Sequence, residues 1–368
     1  MEYGTVKAEN RAEEGFDVSL DKPSDRRLLP YEEIWVTLYP FLLSRGYKLG
    51  PRYHPEWIPS WKADSDIFAA FHSEDGVRSR PNLVDAERAD GSKVMLKRVA
   101  LESDELNIGL YVSSKPLSDD PRNCCVPILD VVLIPACETH ALIVMPLLYE
   151  HVHLPFRRVG ELLEMGQQLS KCLEFLHENR IAHRDFCFYN ITIDPSRILP
   201  HGFHPWDPLS PPDGRRDKYH RFKWRSRWSV RPNQYYVIDF GMSQQYTRRE
   251  GVLALGALGQ DRSVPEMSNI VPYDPFPMDV YQFGNMLLKT YKGYYPNKGI
   301  DVLTSLGKQM TNTDPQLRPT ASQVALEFDR LSRKLGFFGL RERIWPSDVP
   351  YTFSKKLRVV LGQSVYPP

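Results

Sequence analysis

The run VGELLEMGQQLSKCLEFLHENR, residues 159–180, constrains the fold more than any other stretch. Leu162, Met165, Leu169, Cys172, Leu173 and Leu176 recur at the three-and-four spacing of one helical face, which predicts an amphipathic helix with a buried stripe. Further helical patterns follow, DPFPMDVYQFGNMLLKTYKG and TASQVALEFDRLSRKLG, the second opened by Thr320 as an N-cap. Residues 149–340 therefore read as a helix-rich body.

The chain before it has the other periodicity. NLVDAERADGSKVMLKRVA predicts two strands joined at a D-G turn, ESDELNIGLYVSS a helix with an acidic start, and NCCVPILDVVLIPACETHALIVMPLL two more strands about an ETH turn. Residues 61–148 form a smaller strand-rich region carrying one helix. Strands followed by helices predict an α+β protein of two lobes. Residues 1–60 read as an extension: a loose tail to about 28, a helix using Ile34, Leu38, Phe41 and Leu42 with Gly46 as its stop, then PRYHPEWIPSW as an extended segment. Residues 341–368 read as a C-terminal tail. Asp239 follows Asn190 by 49 positions, with a basic insert at about 195–232, a gap longer than a compact domain ordinarily carries without function or disorder.

Composition excludes several classes. The formal net charge is +1, against a general polyanion binder. Five cysteines, Cys124, Cys125, Cys137, Cys172 and Cys187, contain no C-x-x-C pair, so neither a disulfide framework nor a thiolate zinc site is expected. That favours a reducing, intracellular compartment, cytoplasmic or nuclear. The polar start MEYGTVKAENRAEEGF is unlike a targeting peptide, and VVLIPAC and ALIVMPLL are too short to span a bilayer, so no membrane partner is expected.

Moving a γ-phosphoryl group from ATP needs a cation on the phosphates, ligands for magnesium and a carboxylate facing the attacking hydroxyl. Lys97 ends the strand SKVMLK, where Val94, Met95 and Leu96 hold it half-buried and in want of an anion. Glu105 is the first candidate partner and Glu102 the second; the plainer alternative is a solvated surface lysine. RIAHRDFCFYNITID supplies Asp185 as base or orienting carboxylate and, five positions on, Asn190 as a magnesium ligand. YYVIDFG is a buried strand ending in Asp239, with Gly241 easing the turn after it.

With these motifs in this order, the chain resembles a eukaryotic protein kinase domain over residues 82–335, in a divergent form similar to kinase-like proteins of fungi. VPEMS, DVYQFGNML with Asp279 and DPQLRPT with Arg318 extend the likeness. The resemblance implies a two-lobed kinase-like fold, ATP and magnesium as cofactors, and transfer to a protein hydroxyl, serine or threonine in preference to tyrosine. It implies Lys97, Asp185 and Asn190 as catalytic residues. Lys97, Glu105, Asp239 and the connector residues Met145, Leu147 and Leu148 would bind nucleotide, and Asn190 and Asp239 the metal. It further implies a Glu266–Arg318 ion pair, and Asp279 accepting backbone N–H groups of the catalytic loop. The alternative is a pseudokinase that scaffolds a partner.

Two departures stand out. No G-x-G-x-x-G precedes Lys97; only Gly76 and the hairpin Gly91 lie nearby. Cys187 stands where such kinases carry a lysine, and is either a buried inert thiol or a reactive one; Arg215, Arg216 and Lys218 are substitutes by proximity in sequence alone. Arg184 has two readings, pairing with a phosphate in the segment holding Ser243, Tyr246, Thr247 and Ser263, or binding backbone carbonyls there. RRDKYHRFKWRSRWSVR, with eight Lys or Arg among aromatics, reads as a solvated loop or a dock for an acidic protein ahead of nucleic acid. His201 and His204 lack an evident third ligand, against a metal site.

Overall fold

Alternation along the strands decides how the N-terminal half is built. The computed structural model describes residues 28–61, 73, 75–76, 80–214 and 222–348; the tail at 1–27, Arg215, Arg216 and Lys218, and the segment from 349 onward lie outside the described residues. Strands β1 (Tyr47–Leu49), β2 (Leu83–Arg88), β3 (Lys93–Ala100), β4 (Asp130–Leu133) and β5 (His140–Pro146) make an antiparallel sheet in the order β1-β2-β3-β5-β4. Register puts Val84 against Leu96 and Ala86 against Val94 on one face, and Leu83 against Lys97 and Asp85 against Met95 on the other. The first face is sealed by helix α1 (Glu33–Ser44) through Trp35, Leu38, Tyr39 and Leu42. Helix α2 (Asp104–Ser113) packs Leu106 with Val99 and Ile143 on the second. The sheet curls far enough for Tyr47 on one edge to donate a 2.7 Å hydrogen bond to Asp130 Oδ2 on the other.

A boundary near residue 60 does not describe this half. Helix α1 and strand β1 belong to its core, with Trp35 and Tyr39 buried where Ile34 and Phe41 are only partly so. The β1–β2 connection then runs over residues 50–82, with Arg52 buried against Glu32 at 2.6 Å. A strand of three residues carries too short an alternation to be read from sequence.

In the helix-rich half, α3 (Val159–Glu178) buries the whole predicted stripe, each of the six residues at 0% exposure. At about 1.5–3 kcal/mol for each large apolar side chain, this stripe is the half's main organising surface. Gly166 lets Phe328 of α7 (Ala321–Arg341) approach; a Cβ there would lie 2.3 Å from the ring. A short helix α4 (Arg227–Val230) and two longer ones, α5 (Pro275–Lys292) and α6 (Lys298–Met310), complete the described helices. Thr320 and Gln323 form the reciprocal cap that starts α7. Small antiparallel sheets, β6 (Tyr149–Glu150) with β8 (Ile191–Ile193) and β9 (Tyr235–Val237), and β7 (Ile181–Ala182) with β10 (Gln244–Gln245), present the loops between them. The segment Cys124–Val126 leaves the strand-rich half and pairs in parallel with β9.

The described part of the insert is built into this body and is not a solvated loop. Ile198, Leu199 and Phe203 are buried in the main core. Arg227, 1% exposed, donates to the carbonyls of His151, Leu154 and Pro155. Three carbonyls offset the desolvation of one guanidinium, a solution that composition does not reveal. The chain is α+β, and no described helix is long and apolar enough to cross a membrane.

Candidate active site

Strand β3 aims Lys97 away from the α1-covered face, and α2 begins four residues after β3 ends, which returns Glu105 beside it. The Lys97 amine donates to Glu105 Oε1 at 2.5 Å and to Asp239 Oδ1 at 2.9 Å. Burial alone would push the lysine's pKa down; the two carboxylates outweigh it and hold it above the ordinary range. Burial likewise raises Glu105, while at Asp239 it is outweighed by Lys97, which holds that carboxyl low. Of the two candidates for Lys97, the structure selects Glu105 over Glu102, and the surface-lysine alternative is excluded.

Asp239 sits two residues past β9 with φ +67, a left-handed turn that an aspartate tolerates better than most residues. Its neighbour Ile238 donates from its backbone N–H to the Asn190 carbonyl at 3.0 Å, which brings the two oxygen-bearing side chains to one place. Asn190 Nδ2 donates to the Asp185 backbone carbonyl and to Asp185 Oδ2, both at 2.9 Å. That leaves Asn190 Oδ1 and Asp239 Oδ2 without a hydrogen bond among the described residues, two hard oxygens of the type that could hold a divalent metal.

Asp185 is held from below. Asp279, fully buried on α5, accepts the backbone N–H groups of His183 and Arg184 at 2.8 and 2.7 Å, together with the His177 ring. Gln282, one turn on, accepts from the Phe186 N–H. Arg318 grips Glu266 with both terminal nitrogens, at 2.5 and 2.7 Å.

Three features were missed by sequence reasoning. The Gln260 N–H donates to Asp185 Oδ1 at 2.8 Å, and Gly259, φ +87, lies so close that a Cβ would sit 2.8 Å from that oxygen. Trp206 of the insert donates from its indole to Asp85 Oδ1 at 2.6 Å, on the sheet face that carries Met95 and Lys97. Arg80, just before β2, pairs with Glu150 at 2.7 Å. Both of the last two contacts join the strand-rich half to the helix-rich half. For the first, the two glycines of LGALGQDRS are a local signal that the chain turns closely there; the other two contacts are long-range.

Met145 pairs with Met95 at the end of β5, and Leu147 and Leu148 lie between β5 and β6, packed against the main core. Cys187 is buried, and burial together with the nearby Asp185 charge pushes its thiol up, so it stays protonated and supplies neither cation nor nucleophile. Arg184 donates to the Leu255 carbonyl at 2.8 Å, the second of its two readings. Ser243 is buried with its hydroxyl on the His183 carbonyl, which removes it as a modification site. His204 Nδ1 accepts the N–H groups of Trp206 and Asp207, a turn-holding role. No family model matches the chain, and no curated protein matches it.

Proposed function

We propose that the chain is a protein phosphotransferase of the protein-kinase type, moving the γ-phosphoryl of ATP to a protein hydroxyl with magnesium. The observation that carries this reading is Lys97 held between Glu105 and Asp239, with Asn190 beside the strand leading to Asp239. A cation shared between two carboxylates, with side-chain oxygens of Asn190 and Asp239 left without a hydrogen bond among the described residues, suits phosphates bound with a divalent metal.

Lys97 would exchange part of its bond to Asp239 for the phosphate oxygens. Asn190 and Asp239 would hold magnesium, which supplies charge neutralisation on the phosphates when bound. Asp185, steadied by Asn190 and from beneath by the Asp279-anchored loop, would orient the acceptor hydroxyl and take its proton as the new oxygen–phosphorus bond forms and the bond to the departing diphosphate breaks. Met95 and Met145 offer adaptable apolar surface for a base near the connector. Five free thiols favour an intracellular setting.

A scaffold that transfers nothing is the second reading, favoured by the Gln260 cap on Asp185 and by Trp206 at Asp85. Labelled ATP and magnesium, with wild type beside Lys97→Met and Asp185→Asn, separate the two. Transfer is expected in the wild type, falling by about 100-fold or more in both variants. Label retained in Asp185→Asn overturns the assignment, and a wild type that binds nucleotide without transferring it selects the scaffold.

A further inference from the structure

Far along the chain from the phosphate-facing groups, four arginines converge where α3 begins, α7 ends and the insert closes. Arg158 and Arg343 form an isolated antiparallel bridge, and Arg158 Nη1 donates to the Arg341 carbonyl. Arg158 and Arg231 both stand over the Trp228 ring, at 5.2 and 3.9 Å from its centroid. None of the four makes an ion pair among the described residues, and Arg231, Arg341 and Arg343 are exposed.

The nearest buried carboxylate, Glu161, cannot serve as their counter-charge freely. Its oxygens are committed to the backbone N–H groups of Arg157, Arg158 and Trp228. Burial first, and then the neighbouring Arg343, pushes the pKa of Arg158 down, with Glu161 offsetting only part of it. Like charges at this density favour an incoming negative group, and planar guanidinium forks match carboxylates two bonds at a time.

The surface also tells peptide from nucleic acid. Within the basic run itself the ring faces that bases would stack on are taken, Trp228 by two guanidiniums and Trp224 by Arg157 at 4.3 Å. A net charge of +1 gives no extended basic field for a phosphate backbone. What is bare is apolar: Phe337 and Phe338 are 62% and 86% exposed, and Arg341 stands 4.1 Å over the Phe337 ring. We propose that this face docks an acidic segment of a partner protein, carboxylates on Arg231, Arg341 and Arg343 and a large apolar side chain against Phe338.

The inference does not rest on the phosphotransfer reading. Fluorescence anisotropy of a labelled peptide of Asp and Glu flanking one Phe, titrated with the full chain at low and at physiological salt, tests it. Binding that weakens with salt is expected, reduced roughly tenfold or more by R231E/R343E and in part by F338A. Circular dichroism melting of each variant checks folding, and Lys97→Met is expected to bind the peptide as the wild type does. Equal binding by wild type and R231E/R343E, or no binding at low salt, overturns the proposal. A single-stranded DNA of the same charge that binds more tightly than the peptide overturns it in favour of nucleic acid.

Discussion

Asp239 and Asp185 are both carboxylates at the ends of short strands, yet the molecule treats them in opposite ways. The Asp239 side chain is 44% exposed and faces a lysine. Asp185 is 5% exposed, with one oxygen taken by Asn190 and the other by the Gln260 backbone. The Lys97–Asp239 end is thus open and the Asp185 end is pre-ordered but covered. On the proposed phosphotransfer reading, such a site would separate holding a nucleotide from admitting an acceptor, and the two ends can be perturbed independently.

The sharpest way to break that contrast is Gly259→Ala. Its Cβ collides with Asp185 Oδ1 and its φ of +87 disfavours any side chain, so the covering segment must move. Loss of about 1–3 kcal/mol of stability is expected in denaturant titrations, with faster label transfer as Asp185 is uncovered. Slower transfer in a folded variant would mean that Gln260 positions the carboxylate and does not obstruct it.

Trp206→Ala probes the other end. Losing the indole on Asp85 is expected to lower stability by about 1–2 kcal/mol and to tighten binding of a fluorescent ATP analogue. Weaker binding would turn Trp206 into a wall of the base site. Acid is the next lever. His153 and Arg80 outweigh the effect of burial and hold Glu150 down to about 2, a contribution complete above its ordinary 4.5 and lost as pH falls towards 2. Burial, then Arg227, holds His151 down to about 4, so its neutral form stabilises the fold above 6.5 and that contribution fades towards 4. Both act in one direction: urea midpoints should drop steadily from pH 7 to pH 3, with Arg80→Gln flattening the lowest part. The smallest effect belongs to Tyr47→Phe, about 1 kcal/mol by thermal melting, since it removes one hydrogen bond across the curled sheet.

Periodicity made the α3 stripe legible because burial there repeats every turn, and the order of Lys97, Asp185, Asn190 and Asp239 was legible because each stands in an apolar strand or within a few residues of one. The partners of Asp185 and Asp85 were not. Gln260 is 75 residues from Asp185, and Trp206 is 121 from Asp85. No local pattern encodes a backbone N–H meeting a distant carboxylate, or an indole chosen for its edge. Arg227 misled for a related reason: a cation in a basic run reads as solvated until the carbonyls that receive it come into view.

The parallel stitch of Cys124–Val126 onto β9 has a mechanical consequence. It fastens the strand-rich half to the very strand that runs into Asp239, while the chain's own passage at residues 146–149 makes a second attachment. Arg80 grips Glu150 one residue beyond that passage, and Asp85, beside Met95 in the sheet, holds Trp206 of the insert. Side chains thus reinforce what the backbone already ties, and a change that loosens either contact leaves the chain itself still joined on both sides of Asp239.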